Sequence, residues 1–194
     1  MREAVVTSAV RPTGRTGILW LIASDVFSFA ALFFAFAWSR HCAVGFHDAT
    51  EPKVSVGWGA ALTAVLVFSS VAMGIATRWA QQGKLRHAAL ATGFTALSGA
   101  LFIAMQLEEY FGLAGVLPGL HRQGLHLGIS AFADLFYALT AFHGLHVLSC
   151  VVLTLAASIG MLRQRLSPDT LAAIGLWVQF VDGVWLFIFA TVYF

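Results

Sequence analysis

Thr140-Ala141-Phe142-His143-Gly144-Leu145-His146-Val147 is the stretch whose reading decides the fold. It lies inside Leu135–Leu162, a run without a single Asp, Glu, Lys or Arg. Such a run is long enough to cross a bilayer as a helix, which takes about 20 apolar residues. On a helix, positions three apart share a side, so His143 and His146 point roughly one way. Imidazoles in hydrocarbon must face protein, water or a polar partner. The helix therefore has an inner face, and other helices must supply what the histidines meet. Gly144 between them predicts room for close helix approach.

The rest of the chain supplies those helices. Its 194 residues are 59% hydrophobic and only 10% charged, with a mean hydropathy of +0.84. A soluble domain carries about 25% charged residues. The apolar residues fall in blocks of membrane-spanning length, which predicts an all-α integral membrane bundle of five transmembrane helices. The spans are Gly17–Trp38, Val56–Ala80, His87–Tyr110, Leu127–Leu162 and Thr170–Phe194. Residues 17–194 are read as one domain, preceded by an N-terminal segment, 1–16, with Arg2, Arg11 and Arg15. The segment lacks a cleavage-site pattern and reads as the flank of a retained first span. The fourth span is long for a helix held upright, so tilt or overhang is expected. Trp20, Trp38, Trp58 and Trp79 stand near span ends, where indole rings favour the interface. Two cysteines, Cys42 and Cys150, suggest no disulfide framework.

Charge sets an expected orientation. Arg2, Arg11, Arg15, Arg78, Lys84, Arg86, Arg163 and Arg165 flank one side, against Arg40, Lys53 and Arg122 on the other. The positive-inside rule puts the N-terminus in the cytoplasm and the C-terminus outside. The net charge of +2 gives no sign of nucleic acid as a partner.

Polar residues inside the spans are the site candidates: Asp25, Gln106, Glu109, Asp134, His143, His146, Gln179 and Asp182. Each has a plainer reading as a bond between helices that pins the bundle. Asp25 and Asp182 lie roughly 12 and 18 Å along spans that start on the same side. An acid of one helix meeting a histidine of another at mid-depth is thus open, without the partners being fixed. Haem with two axial histidines needs one from each side of the ring, and no third histidine lies deep in a span. A metal site would need further ligands from acids on other spans. There is no Cys-x-x-Cys-His, phosphate loop, dinucleotide fingerprint or nucleophile elbow. No independent catalyst is read from the chain.

Four segments carry a resemblance to a known family. Ile22-Ala23-Ser24-Asp25-Val26-Phe27, Gln106-Leu107-Glu108-Glu109-Tyr110, Ala141 to Val147, and Trp177-Val178-Gln179-Phe180-Val181-Asp182-Gly183-Val184-Trp185-Leu186-Phe187 stand in order on successive spans. Together they resemble subunit III of the haem–copper terminal oxidases, in a short five-helix bacterial form without the first two of seven family helices. Asp25 stands where mitochondrial-type members carry Glu, Gln179 where His is usual, Gly183 where Val is usual, and Ala141 where Gly is usual. The histidine-to-glutamine change removes a titratable group, which weighs against a proton-related role there.

The resemblance implies an accessory subunit with no cofactor of its own. Haem and copper, and oxygen reduction itself, would belong to partner subunits. The chain would pack on catalytic subunit I, with subunit II and other small subunits in the same complex. It would hold phospholipid, support proton uptake and protect against inactivation during turnover. Arg163 is the nearest match to a family arginine that holds a lipid headgroup, with a spacing about one turn longer. A bacterial plasma membrane location follows from the same resemblance. Two other readings remain open: a subunit III-like partner of a nitric oxide reductase, and a free-standing transporter or proton channel using Asp25, Glu109 and Asp182.

Overall fold

The computed structural model describes residues 13–42, 46 and 51–194. Five helices account for most of them: α1 (Thr13–Cys42), α2 (Val56–Gln81), α3 (Leu85–Phe111), α4 (Ala131–Leu162) and α5 (Pro168–Val192). All five are long and apolar enough to cross a membrane. The all-helical, five-span expectation holds. Of the N-terminal segment 1–16, Arg2 and Arg11 lie outside the described residues, while Thr13–Thr16 already belong to α1. His47 and Asp48 of the first loop also lie outside them.

Local chemistry sets where helices start. Ser55, Ser130 and Ser167 each accept a backbone N–H three residues on, from Trp58, Ala133 and Thr170. Such caps satisfy amides that have no partner within the helix. Pro168 follows its cap, at the position where a missing N–H costs nothing. Ser130 also corrects the expected start of the fourth span. Residues 127–130 are not helical; Gly128 has φ +86°, and the helix begins at Ala131. Asp134 is corrected with it. It sits exposed in the first turn of α4, and its carboxylate accepts the Gly128 N–H at 2.7 Å. Even so, α4 has 32 residues, about 48 Å of helix against about 30 Å of hydrocarbon.

The loop after α3 folds back on the helix end. Gly112 and Gly119, both at positive φ, pack backbone to backbone, and a Cβ on Gly119 would lie 2.5 Å from the Phe111 carbonyl carbon. Only glycine fits both the dihedral and the space. Leu120 and His121 donate their N–H groups to the Glu109 and Tyr110 carbonyls. The Glu108 carboxylate accepts from the amides of Ala114, Val116 and Leu117.

Helices α2, α3, α4 and α5 form a ring in that order, each touching the next and α5 closing on α2. Helix α1 leans on α4 and α5 alone. Only 6% of residues in its most apolar stretch are buried, against 56% in α5. Small residues allow the closest approaches inside the ring. A Cβ on Gly99 would meet Val151 at 2.7 Å, and one on Gly59 would meet Tyr193 and Phe189 at 2.7–2.8 Å. Gly144 is not among them: a Cβ there meets nothing within 4 Å. The expected close approach fails at Gly144 because it turns away from the packed seam. The outside of the bundle is apolar, with Phe27, Phe68, Leu97, Leu145 and Phe187 well exposed. Lipid is the solvent that tolerates such a face.

Candidate functional site

The centre of the ring is Trp185 on α5, fully buried. Its ring lies 4.7 Å from Phe102 of α3 and 5.2 Å from His143 of α4. Its indole N–H donates to the Thr63 hydroxyl of α2 at 3.0 Å. One side chain thus touches all three other helices of the ring. His143 fills the remaining side, also fully buried, between Phe102, Trp185 and Phe29 of α1. Neither of its ring nitrogens has a hydrogen-bond partner among the described residues. In this site the imidazole serves as one more aromatic plate.

His146, one turn on, looks out toward α1. Its Nδ1 donates to the Phe142 carbonyl at 2.8 Å, since a carbonyl only accepts. That leaves Nε2 facing the Asp25 carboxylate oxygen at 3.5 Å. The two side chains stand at ion-pair distance across the α1–α4 seam, without a hydrogen bond to Asp25 Oδ2 from the described residues. Phe29, Phe142 and Trp177 wall the pair at ring separations of 5.1, 4.7 and 5.8 Å. Trp177 itself donates to the Ser149 hydroxyl, which donates to the His146 carbonyl. Of the acid–histidine meetings left open by the sequence, this is the one that forms.

A second cluster closes the end of the ring near the α3–α4 loop. Gln106 Nε2 donates to Glu109 Oε2 at 2.9 Å, and the Tyr193 hydroxyl donates to the same oxygen at 2.7 Å. All three residues are buried. Beside them the Tyr110 hydroxyl donates to Thr140 at 2.6 Å, and Thr140 donates on to the Phe136 carbonyl. Trp58 Nε1 donates to the Met105 carbonyl and ties α2 to the same end. Asp182 lies elsewhere, on the α2 side of α5, where it interacts with Ser70. Gln179 is exposed one turn before it. Arg163 is exposed at the C-terminal end of α4, far along that helix from both histidines.

The structure therefore brings together Asp25 with His146 and Gln106 with Glu109. It sets His143, Gln179, Asp182 and Arg163 apart from those pairs. Among the described residues no three His, Cys, Asp or Glu side chains converge as a metal site would need. Sequence reasoning missed Tyr193, Trp185 and Glu108. Tyr193 gives no local signal, because its partner is 84 residues away. Trp185 was visible as a mid-span tryptophan, a residue that needs a buried acceptor. Glu108 was visible as an acid next to a glycine-rich loop with free amides.

The profile of "Cytochrome c oxidase subunit III" matches residues 3–194. A relative from Nocardia farcinica, "Probable cytochrome c oxidase subunit 3", is 31% identical over 91% of this chain and 85% of its own. "Quinol oxidase subunit 3" of Bacillus spizizenii is 29% identical over 93% of this chain and 88% of its own. "Cytochrome c oxidase subunit 3" of Triticum aestivum is 28% identical over 96% of this chain and 70% of its own. The four short segments, the five apolar helices and a match running almost from end to end agree, and the chain belongs to the cytochrome c oxidase subunit III family.

Proposed function

We propose that this chain is a non-redox accessory subunit of a haem–copper terminal oxidase of aerobic respiration, in a bacterial plasma membrane with its N-terminus in the cytoplasm. The observation that carries the reading is the family match over residues 3–194. It is supported by where the polar side chains go: Trp185, Trp177, Glu109 and Tyr110 make bonds between helices. That is the chemistry of a scaffold. The subunit packs on catalytic subunit I, where the haem and copper reside, in a complex with subunit II and smaller chains. It organises phospholipid, supports proton uptake into subunit I and protects that subunit during turnover. The Asp25–His146 pair holds the seam between α1 and α4. Arg163, exposed at the end of α4, is the residue assigned to a lipid headgroup.

Purification of the native assembly from membranes tests the reading. The chain is expected in the same particle as a haem protein that consumes oxygen. Asp25→Ala is expected to leave initial oxygen turnover nearly unchanged while lowering bound phospholipid or shortening the active lifetime. A chain that purifies alone and moves protons or solutes in liposomes would sink the proposal. Nitric oxide reduction in place of oxygen reduction would move it to the sister enzyme class.

A further inference from the structure

Two histidines outside the membrane spans meet on the loop between α3 and α4. His121 and His126 are both exposed, and their ring centroids lie 6.0 Å apart. Neither takes part in the polar clusters described above. The backbone beneath them is fixed. The His121 N–H donates to the Tyr110 carbonyl at 2.9 Å, the His121 carbonyl accepts from Gly124, and the His126 carbonyl accepts from Ile129. The chain turns at Gly124, φ +101°, and the Leu125 N–H donates to the Leu120 carbonyl across the turn. Leu120 and Leu125 are buried, and the Tyr137 hydroxyl of α4 donates to the Leu125 carbonyl at 2.7 Å. The two imidazoles therefore stand on a scaffold tied to α3 on one side and to α4 on the other.

The tautomer of one ring is also set. His126 Nδ1 lies 3.1 Å from the Leu127 carbonyl, which can only accept, so Nδ1 carries a proton. In the neutral ring the lone pair is then on Nε2. An N–H held by a backbone carbonyl, with the other nitrogen free, is the arrangement of a metal-binding histidine. Spacing agrees with this. Zinc about 2.0–2.1 Å from each nitrogen, in tetrahedral geometry, holds two imidazole centroids roughly 5 Å apart. Closing the observed 6.0 Å to that value is a shift of about 1 Å, within reach of exposed side chains, which change rotamer freely. Arg122, between the two, interacts electrostatically with the Glu108 carboxylate, which offsets its charge near an incoming ion.

We propose that His121 and His126 bind a divalent ion of the zinc class, with water completing its shell. No third His, Cys, Asp or Glu converges on them among the described residues. The ion is therefore exchangeable, unlike a resident structural zinc held by four protein ligands. Imidazole suits zinc, copper(II) or nickel, whereas magnesium and calcium prefer oxygen. Once bound, the ion clasps the turn from 121 to 126 and stiffens the link between α3 and α4. The site goes beyond the accessory-subunit reading, and its test needs neither a partner subunit nor oxygen reduction.

Histidine labelling with diethylpyrocarbonate, read residue by residue by mass spectrometry, tests it on the full chain in native membranes. Zinc ions are the probe and magnesium ions the control. His87, exposed near the start of α3, is the internal reference. Zinc is expected to lower labelling of His121 and His126 together, with one midpoint concentration, and to leave His87 unchanged. Magnesium should change none of the three. Even an outer partner of a metal-bound histidine contributes about 10–100-fold in affinity, so in His126→Ala protection of His121 should need at least about tenfold more zinc. His121→Ala should do the same to protection of His126, and unchanged labelling of His87 reports that each variant keeps its fold. Equal labelling of the pair with and without zinc overturns the proposal. So does protection of His87 to the same degree, which would mean an adventitious ion only. Undiminished protection of His121 in His126→Ala overturns it too, because the ion would then sit on a single histidine.

Discussion

His143 and His146 are one turn apart on the same helix, yet they belong to different parts of the molecule. His143 is sealed at the centre of the α2–α5 ring, against Phe102 and Trp185, with both nitrogens unpartnered. His146 sits on the seam with α1, where its imidazole meets Asp25 and remains partly accessible. The ring is closed on itself; α1 touches two of its helices and is otherwise open. Residues of the ring therefore act on stability, while residues of the seam act on how one peripheral helix is held.

Substitutions can break or sharpen that contrast. The largest effect is expected at the ring centre. Trp185→Ala removes a fully buried ring and its bond to Thr63, at a cost of about 3–5 kcal/mol, read by reversible unfolding in mixed micelles. Gly99→Ala pushes a methyl against the stiff Val151 side chain at 2.7 Å, an overpacking of about 1–3 kcal/mol. Gly144→Ala, where space is open, is the matched control and should unfold no more easily than the parent. At the seam, a double-mutant cycle on Asp25→Ala and His146→Ala should give a coupling of about 0.5–2 kcal/mol. Its signature is faster hydrogen exchange confined to α1. Apart from the Gly144 control, Tyr193→Phe should cost the least, about 0.5–1.5 kcal/mol, because Gln106 still bonds Glu109. If Asp25→Ala instead loosened α2 and α3 as much as α1, the separation of ring and seam would be wrong.

Much of this was legible beforehand because the bilayer leaves few choices. A run such as Leu135–Leu162 has one stable form in hydrocarbon, a helix, so span number followed from apolar blocks. The ends were less legible. Leu127–Ser130 is apolar enough to continue a span, yet Gly128 and the Ser130 cap stop it. The polar residues were legible as interior candidates but not as pairs. Asp25 and His146 are 121 positions apart, and nothing local links them. Gly144 looked like a contact because small residues often are, but its face of α4 is unoccupied.

The sequence alone determined that this is a membrane bundle of five helices, which side chains had to be accounted for inside it, and the family it resembles. It did so through composition and order, both of which are local. Tertiary structure alone decided that His143 is a packing ring and His146 an acid's partner, that Tyr193 returns to Glu109, and that Asp182 meets Ser70. The reason is geometric. Residues one turn apart differ by about 60° around a helix axis, and only the neighbouring helices say what lies at each angle.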